Sequence, residues 1–163
     1  MTVLDILIVG NDAGMLSDEA ENLTKADILS SKIQTLIEDM KDTCHSVGGL
    51  GLSANQVGAP ANLFIYPEDI GRNTMTHKYN VIINPVIFAG NKGKFKSRGE
   101  GCLSVPGRYF TIVRYKEVII YGLNEKGEEI NFRTKSKQLA KLLQHEVDHL
   151  HGVTILDKGK EVT

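Results

Sequence analysis

The strongest constraint on how this chain folds is the segment H-E-V-D-H at positions 145–149. Residues four apart on an α-helix point in nearly the same direction, so both histidines can reach one metal ion while Glu146 lies to the side. Ser136 is a candidate N-cap for this helix, and Gly152 follows its end. Its apolar stripe consists of Leu139, Leu142, Leu143 and Leu150. The sequence therefore predicts a core-facing helix that carries a metal site.

Two histidines leave a metal ion short of ligands, so another residue must supply the third. The extended motif of one metalloprotease class needs a histidine at position 155, where this chain has Ile155. A second class uses a downstream glutamate, but Glu161 lies in a short polar tail. Cys102, beside the flexible Gly101, is the better candidate, and Cys44 is the competing thiol. A thiolate and two imidazoles suit Zn²⁺ or Fe²⁺ and leave one position open for water.

A glycine-rich cluster, G-L-G-L-S-A-N-Q at positions 49–56, contains the spacing of a dinucleotide-binding fingerprint. That fingerprint follows a strand and opens a helix, whereas this segment follows a helical pattern and leads to Pro60. We therefore interpret it as a tight loop after a helix end. This interpretation leaves Gln56 unexplained.

Periodicity and turn signals predict strands bracketed by helices. Apolar residues recur every three or four positions from Asp27 to Met40, which predicts an amphipathic helix that ends at Gly48 and Gly49. The predicted strands are Leu63–Tyr66, Val81–Ile83, Val86–Ala89, Ile112–Tyr115, Val118–Gly122 and Ile130–Arg133. Residues 124–127 predict a hairpin turn between the last two. This order favours an α+β fold with mainly antiparallel β-sheets packed around a central metal-binding helix.

Composition limits the domain count and the partners. A chain of 163 residues with 41% hydrophobic content is expected to form a single domain over positions 1–163. Its net charge of −1 gives no support for a nucleic-acid or anionic-membrane partner. No apolar run approaches the roughly 20 residues of a membrane span, and positions 1–10 lack a secretory pattern. Two cysteines are too few for a disulfide framework, so we expect a cytoplasmic protein.

Three segments resemble the motifs of the peptide deformylase family. They are the cluster at 49–56, E-G-C-L-S at 100–104 and Q-H-E-V-D-H-L at 144–150, in the family's order and at familiar separations. The resemblance spans Ile28 to Asp157 and includes V-P-G at 105–107. It implies a metal-dependent hydrolase that removes the N-formyl group from the N-terminal methionine of newly synthesised proteins and releases formate. The implied partners are N-formyl-methionyl peptides and nascent chains.

The resemblance also implies a role for individual residues. The implied metal ligands are Cys102, His145 and His149. They would hold one divalent ion, with Fe²⁺ expected as the native metal and Zn²⁺ or Ni²⁺ accepted by the same donors. Glu146 would move a proton from water to the departing amine. The side-chain amide of Gln56 and the backbone N–H of Leu103 would stabilise the oxyanion.

The implied substrate contacts are Gly49, Leu50, Gly51 and Leu142. The peptide would lie as an extended strand beside the two glycines. Leu50 and Leu142 are candidates for the wall of an apolar methionine pocket. An ion pair between Glu100 and Arg114 is also implied. Asp148 would support the site or face solvent.

Two departures from the family pattern qualify the resemblance. The stretch before Asp27 lacks the family's proline-containing opening, and the stretch after Asp157 is too short for the C-terminal helix of typical bacterial members. The resemblance is therefore to a shortened, virus-like or type 1B-like member, which would act in the host cytoplasm if it is virus-encoded. The missing helix is associated with ribosome docking in longer relatives, so weak ribosome association is expected. The rival functions are a peptidase with the same H-E-x-x-H motif and a domain with a closed, structural metal site.

Overall fold

The computed structural model describes residues 2–11, 13–70 and 78–162. The helices are α1 (Ala13–Ser17), α2 (Lys25–Ile28), α3 (Ser31–Ser46), α4 (Lys137–Leu150) and α5 (Ile155–Lys158). The strands are β1 (Leu52–Ser53), β2 (Leu63–Pro67), β3 (Tyr79–Ala89), β4 (Lys94–Cys102), β5 (Val105–Tyr115), β6 (Val118–Leu123), β7 (Glu129–Arg133) and β8 (Lys160–Glu161). A short 3₁₀ turn, Ala54–Val57, follows β1. Across these residues, the helices are all too short or too polar to span a membrane.

The strands form two antiparallel sheets. One sheet has the order β1-β2-β3-β6-β7, and the other has the order β4-β5-β8. Helix α4 contacts β1, β2 and β3 of the larger sheet and β5 of the smaller one. The predicted α+β class with antiparallel sheets is confirmed, and the helix with the H-E-x-x-H motif contacts both sheets.

Helix α4 forms where the sequence predicts it because its cap and its apolar stripe agree. The Ser136 side chain accepts a hydrogen bond from the Leu139 backbone N–H at 3.1 Å, which satisfies one of the free amides of the first turn. The residues that the helix contributes to the core are Ala140, Leu142, Leu143, Val147 and Leu150, which pack with Phe64, Ile82 and Ile120. Burying each large apolar side chain contributes roughly 1.5–3 kcal/mol. The core therefore fixes the rotation of α4 and buries the polar motif.

The helix predicted over Asp27–Met40 is wrong at its start, because two helices occupy this region. Helix α2 ends at Ile28, and α3 begins after Ser30, whose side chain accepts from the Ile33 backbone N–H at 3.3 Å. A serine hydroxyl that caps a new helix competes with continuation of the old one. Leu29, assigned to the apolar stripe, is 55% exposed at the break. Helix α3 then ends before Gly48, which has a φ of 66°.

The strand predictions are incomplete at several places, and the short strands β1 and β8 were not predicted. A single strand, β3, replaces the two strands predicted at Val81–Ile83 and Val86–Ala89. Its pairing with β6 shifts register between Ile83 and Val86, where Asn84 has a φ of 49°. Strand β4 was not predicted, and β5 begins at Val105 instead of Ile112. Strand β4 is rich in charge and glycine, and it lies at the edge of its sheet, where polar side chains are tolerated. Such a strand lacks the apolar alternation that sequence patterns detect.

Candidate active site

Three possible metal ligands converge where the end of β4 meets α4. The Sγ atom of Cys102 lies 3.2 Å from Nε2 of His149, which in turn lies 3.2 Å from Nε2 of His145. The three ligand atoms lie within 4.8 Å of one another. This cluster contains no fourth His, Cys, Asp or Glu among the described residues. A thiolate and two imidazoles are a donor set for one Zn²⁺ or Fe²⁺ ion, so the residues fit a metal centre.

The surroundings orient both imidazoles but favour different protonation states: burial is outweighed by contacts with Cys102 and Glu100, which raise the pKa of His145 to about 10. Burial lowers the pKa of His149 well below its ordinary value, so its imidazole is neutral, as metal ligation requires. The side-chain amide of Asn55 donates to the His149 backbone carbonyl and ties this end of α4 to the 3₁₀ turn. Nδ1 of His145 lies 3.6 Å from Oε2 of Glu100, which orients Nε2 of that ring toward the cluster.

The competing thiol, Cys44, lies outside the cluster. Its Sγ is fully buried and lies 3.3 Å from the backbone carbonyl of Gly49. Burial, with the nearby charge of Glu146, raises the pKa of Cys44 to about 12, so this thiol stays protonated at neutral pH. We interpret Cys44 as a packing residue behind the Gly49 backbone.

A buried ion network connects the metal cluster to the smaller sheet. Arg114 on β5 donates to Glu100 on β4 at 3.0 Å and to Asp148 on α4 at 2.5 Å. Asp148 also accepts from Lys158 at 2.5 Å. Burial disfavours the Glu100 carboxylate, but hydrogen bonds from His145 and Arg114 outweigh it and lower the pKa of Glu100 to about 2. Glu100 is therefore a fixed anion, and Asp148 supports the network instead of only facing solvent.

Glu146 lies next to the cluster with one oxygen free to act. The side chain is 2% exposed, and its Oε2 atom has no hydrogen-bond partner among the described residues. Burial raises the pKa of Glu146 to about 7. The Glu146 side chain packs directly against Gly51. A Cβ atom added at Gly51 would lie only 2.9 Å from Cδ of Glu146 and 3.0 Å from Cδ1 of Leu142. This contact gives Gly51 a steric reason to lack a side chain.

The predicted residues share one pocket of about 630 Å³. Its lining includes every predicted metal, catalytic and substrate-contact residue except His149, which is buried. Leu142 forms part of a buried wall, whereas Leu50 is 57% exposed at the rim. Leu103 lies in the β4–β5 turn beside Cys102. A larger groove of about 770 Å³, lined mainly by β3, β4, β5 and α4, contains none of the predicted metal, catalytic or substrate-contact residues, although Arg114 and Asp148 line it.

Sequence reasoning missed two residues that hold Gln56. The Gln56 amide nitrogen donates to Oγ of Ser104 at 3.1 Å, and its oxygen accepts from Ser53. Ser53 stands three residues before Gln56, the spacing of a helix capping box, so a local signal was present for it. Ser104 ends a recognised motif, but no spacing shows that its hydroxyl faces Gln56. The same amide nitrogen lies 3.6 Å from Sγ of Cys102, so Gln56 points at the cluster.

An open ion site beside a free, buried carboxylate is the arrangement that hydrolases use to activate water with a metal. The site therefore defines a metal-dependent hydrolase. The chain matches the family model described as polypeptide deformylase over residues 3–163. The chain belongs to the polypeptide deformylase family, and the resemblance in its three motifs is confirmed.

Individual relatives agree with this assignment. A peptide deformylase of Syntrophomonas wolfei is 35% identical, over 99% of this chain and 96% of its own length. The structure of the Ehrlichia chaffeensis peptide deformylase in complex with actinonin is 36% identical, with a TM-score of 0.83 over 98% of this chain and 90% of its own. A Met-Ala-Ser-bound structure of the class I type b peptide deformylase from Acinetobacter baumannii is 25% identical in sequence and has a TM-score of 0.84. The match covers 96% of this chain and 98% of that one.

The buried network predicts a large difference between two arginine substitutions. Arg114→Met leaves Glu100 buried without its main partner, and breaking a buried pair costs roughly 3–5 kcal/mol of unfolding free energy. Arg108→Met removes a similar pair with Glu161, in which the side chains are 47% and 44% exposed, so little change is expected. Urea unfolding of both variants at equal metal loading measures the difference. Equal stability of the two variants would contradict the structural role of Arg114.

Proposed function

We propose how this site carries out the reaction of its family. The chain is an enzyme that removes the N-formyl group from the N-terminal methionine of newly synthesised proteins and releases formate. The observation that supports our assignment of residues is the unpartnered, buried Oε2 of Glu146 in the pocket that is also lined by Cys102 and His145, two of the three converging ligands. We propose that positions 1–163 act as one catalytic domain, because the site pocket combines the loop before β1 with β4, β5 and α4, and α4 contacts both sheets.

Cys102, His145 and His149 are the residues that would hold a divalent metal ion. When bound, such an ion is a Lewis acid that lowers the pKa of water from about 16 toward 7. We propose Fe²⁺ as the native ion, and the same donors accept Zn²⁺ and Ni²⁺. Glu100 contributes by orienting the His145 ring and by keeping a fixed negative charge next to it.

Glu146 is the proposed proton carrier. Its Oε2 atom accepts a proton from the attacking water and later gives that proton to the amine nitrogen as the bond between formyl carbon and nitrogen breaks. A carboxylate without other partners can do both, because no protein hydrogen bond has to be broken first. The contact of Glu146 with Gly51 restricts the rotation of the carboxylate during these transfers.

Gln56 and Leu103 are the proposed oxyanion donors. The Gln56 amide nitrogen points toward the cluster, and Leu103 lies beside Cys102 on the pocket wall. Donors placed where negative charge develops contribute roughly 3–4 kcal/mol each in comparable sites. Their position next to the cluster supports attack on a carbonyl held at this point of the pocket.

The substrate is proposed to lie as an extended strand beside the backbone of Gly49, Leu50 and Gly51, with main-chain hydrogen bonds that tolerate varied sequences. Leu142 would contribute to the methionine pocket. Leu50 would cover the peptide at the rim because it is more than half exposed. Formyl-methionyl peptides and nascent chains are the proposed substrates, and the cytoplasm, where translation starts, is the proposed location.

Replacing Glu146 with Gln tests the proton carrier. We expect the variant to keep its metal, because Glu146 is not a ligand, and to lose at least about 100-fold in kcat because the amide cannot accept the proton. Formate release from a formyl-Met peptide and metal content of the same samples are the measurements. Wild-type protein that is metal-replete and releases no formate would contradict the function. An active Glu146→Gln variant would contradict only the role.

Two cysteine substitutions test the metal ligands. Cys102→Ala should lose bound metal, because two imidazoles form an incomplete site. Cys44→Ala is the matched control and should keep it, because this thiol lies outside the cluster. Metal per folded protein, measured after dialysis, distinguishes them. If both variants or neither lose metal, Cys102 is not the specific ligand.

We also propose that ribosome association is weak, because the net charge of −1 gives little overall attraction to a polyanion. Co-sedimentation with ribosomes at physiological salt should therefore recover little enzyme in the pellet. Lys94, Lys96, Arg98 and Lys160 do line the larger groove. A Lys96→Glu/Arg98→Glu variant is the control that shows whether any ribosome binding uses this groove. Tight co-sedimentation of the wild type would refute weak association.

A further inference from the structure

We infer that Ser53 is a positioning residue for deformylation, because it determines which end of the Gln56 side-chain amide faces the metal cluster. This inference rests on the proposed role of Gln56 as an oxyanion donor. A side-chain amide has one end that donates and one end that accepts hydrogen bonds, so it can stabilise an oxyanion only when its nitrogen faces the reacting carbon.

Ser53 places two donors on the same atom of Gln56. Its backbone N–H donates to Oε1 at 3.0 Å, and its hydroxyl donates to Oε1 at 2.9 Å. Both residues are buried, with exposed fractions of 0% and 2%. If the amide were rotated by 180°, its NH₂ group would face the Ser53 backbone N–H, and two donors would oppose each other in a place that excludes water.

The opposite end of the amide is held by an acceptor. Nε2 of Gln56 donates to Oγ of Ser104 at 3.1 Å and lies 3.6 Å from Sγ of Cys102. Ser104 is fully buried, and its backbone carbonyl accepts from Val9 at 2.9 Å, which fixes its position. The nitrogen of Gln56 is thereby directed to the cluster, and its oxygen is directed away. We assign Ser104 to the same positioning arrangement.

The same hydrogen bonds also start the 3₁₀ turn Ala54–Val57, so a purely structural role has to be separated from a catalytic one. The chain offers a matched control in Thr154, which begins α5. Its backbone N–H and its hydroxyl both donate to Oδ2 of Asp157, at 2.7 Å and 2.8 Å, and it is 7% exposed. Thr154 does not line the active-site pocket. Loss of its hydroxyl should therefore change stability and leave catalysis unaffected.

The test compares Ser53→Ala, Ser53→Cys, Ser53→Thr and Thr154→Ala in steady-state formate release from a formyl-Met peptide. Metal content and urea unfolding are measured on the same samples. For Ser53→Ala we expect kcat to fall by about fivefold, the factor that loss of one hydrogen bond corresponds to. We expect KM to stay within about twofold and metal content to stay unchanged, because neither depends on the oxyanion donor. Ser53→Cys keeps the shape of the side chain, with a larger atom that is only a weak donor, and should show a similar fall.

Two further variants separate the positioning role from a structural one. Ser53→Thr restores a hydroxyl and should recover most of kcat, while Thr154→Ala should keep wild-type kcat. A Ser53→Ala variant with wild-type kcat, or an equal loss of kcat in Thr154→Ala, would overturn the positioning role. An inactive wild-type protein with full metal content would instead overturn the proposed function, so the two failures are distinguishable.

Discussion

The bridge from Arg114 to Glu100 and Asp148 is the interaction on which the geometry of the site depends. Arg114 lies on β5, Glu100 on β4 and Asp148 on α4, so a single guanidinium joins two consecutive strands to a helix that is distant in sequence. A buried charge must be paired, because each unpaired ion would cost several kcal/mol in a medium of low dielectric. The elements therefore cannot slide independently, and Cys102, two residues after Glu100, is held opposite the histidines.

Helix α4 combines the hydrophobic core and the chemistry in one element. Its apolar residues pack against the larger sheet, while Asp148 joins Arg114 of the smaller one. Because the helix has 3.6 residues per turn, two histidines four positions apart point in nearly the same direction. That direction lies between the apolar face of α4 and the face that carries Asp148. The rotation that buries Leu143 and Val147 is also the rotation that brings both Nε2 atoms to Cys102.

The parts of the fold and site that could be predicted are those fixed by local geometry. The i, i+4 spacing on α4 and its capping residue determine where the histidines point, and the family resemblance supplied Gln56 and Leu103. Strand β4 could not be predicted, because its charged edge position has no apolar alternation. The contact of Arg114 with Asp148 joins residues 34 positions apart and has no local signal. Ser104 was missed for the same reason, because it lies 48 positions from Gln56. Ser53 was overlooked although it stands at capping-box spacing from Gln56.

Unsatisfied polar groups are concentrated where the chemistry takes place. Among the described residues, the buried Oε2 of Glu146, Nδ1 of His149 and Oδ1 of Asn55 have no hydrogen-bond partner, and these residues are neighbours through α4 and the Asn55 amide. A buried polar atom without a partner costs about 1–3 kcal/mol, so folding alone does not favour such a group. Glu146 is supported by the packing of Gly51 and Leu142 around it, and its free oxygen is then available to a reacting water. The stability of α4 and its network thus compensates for an unpartnered carboxylate at the position where we propose that proton transfer occurs.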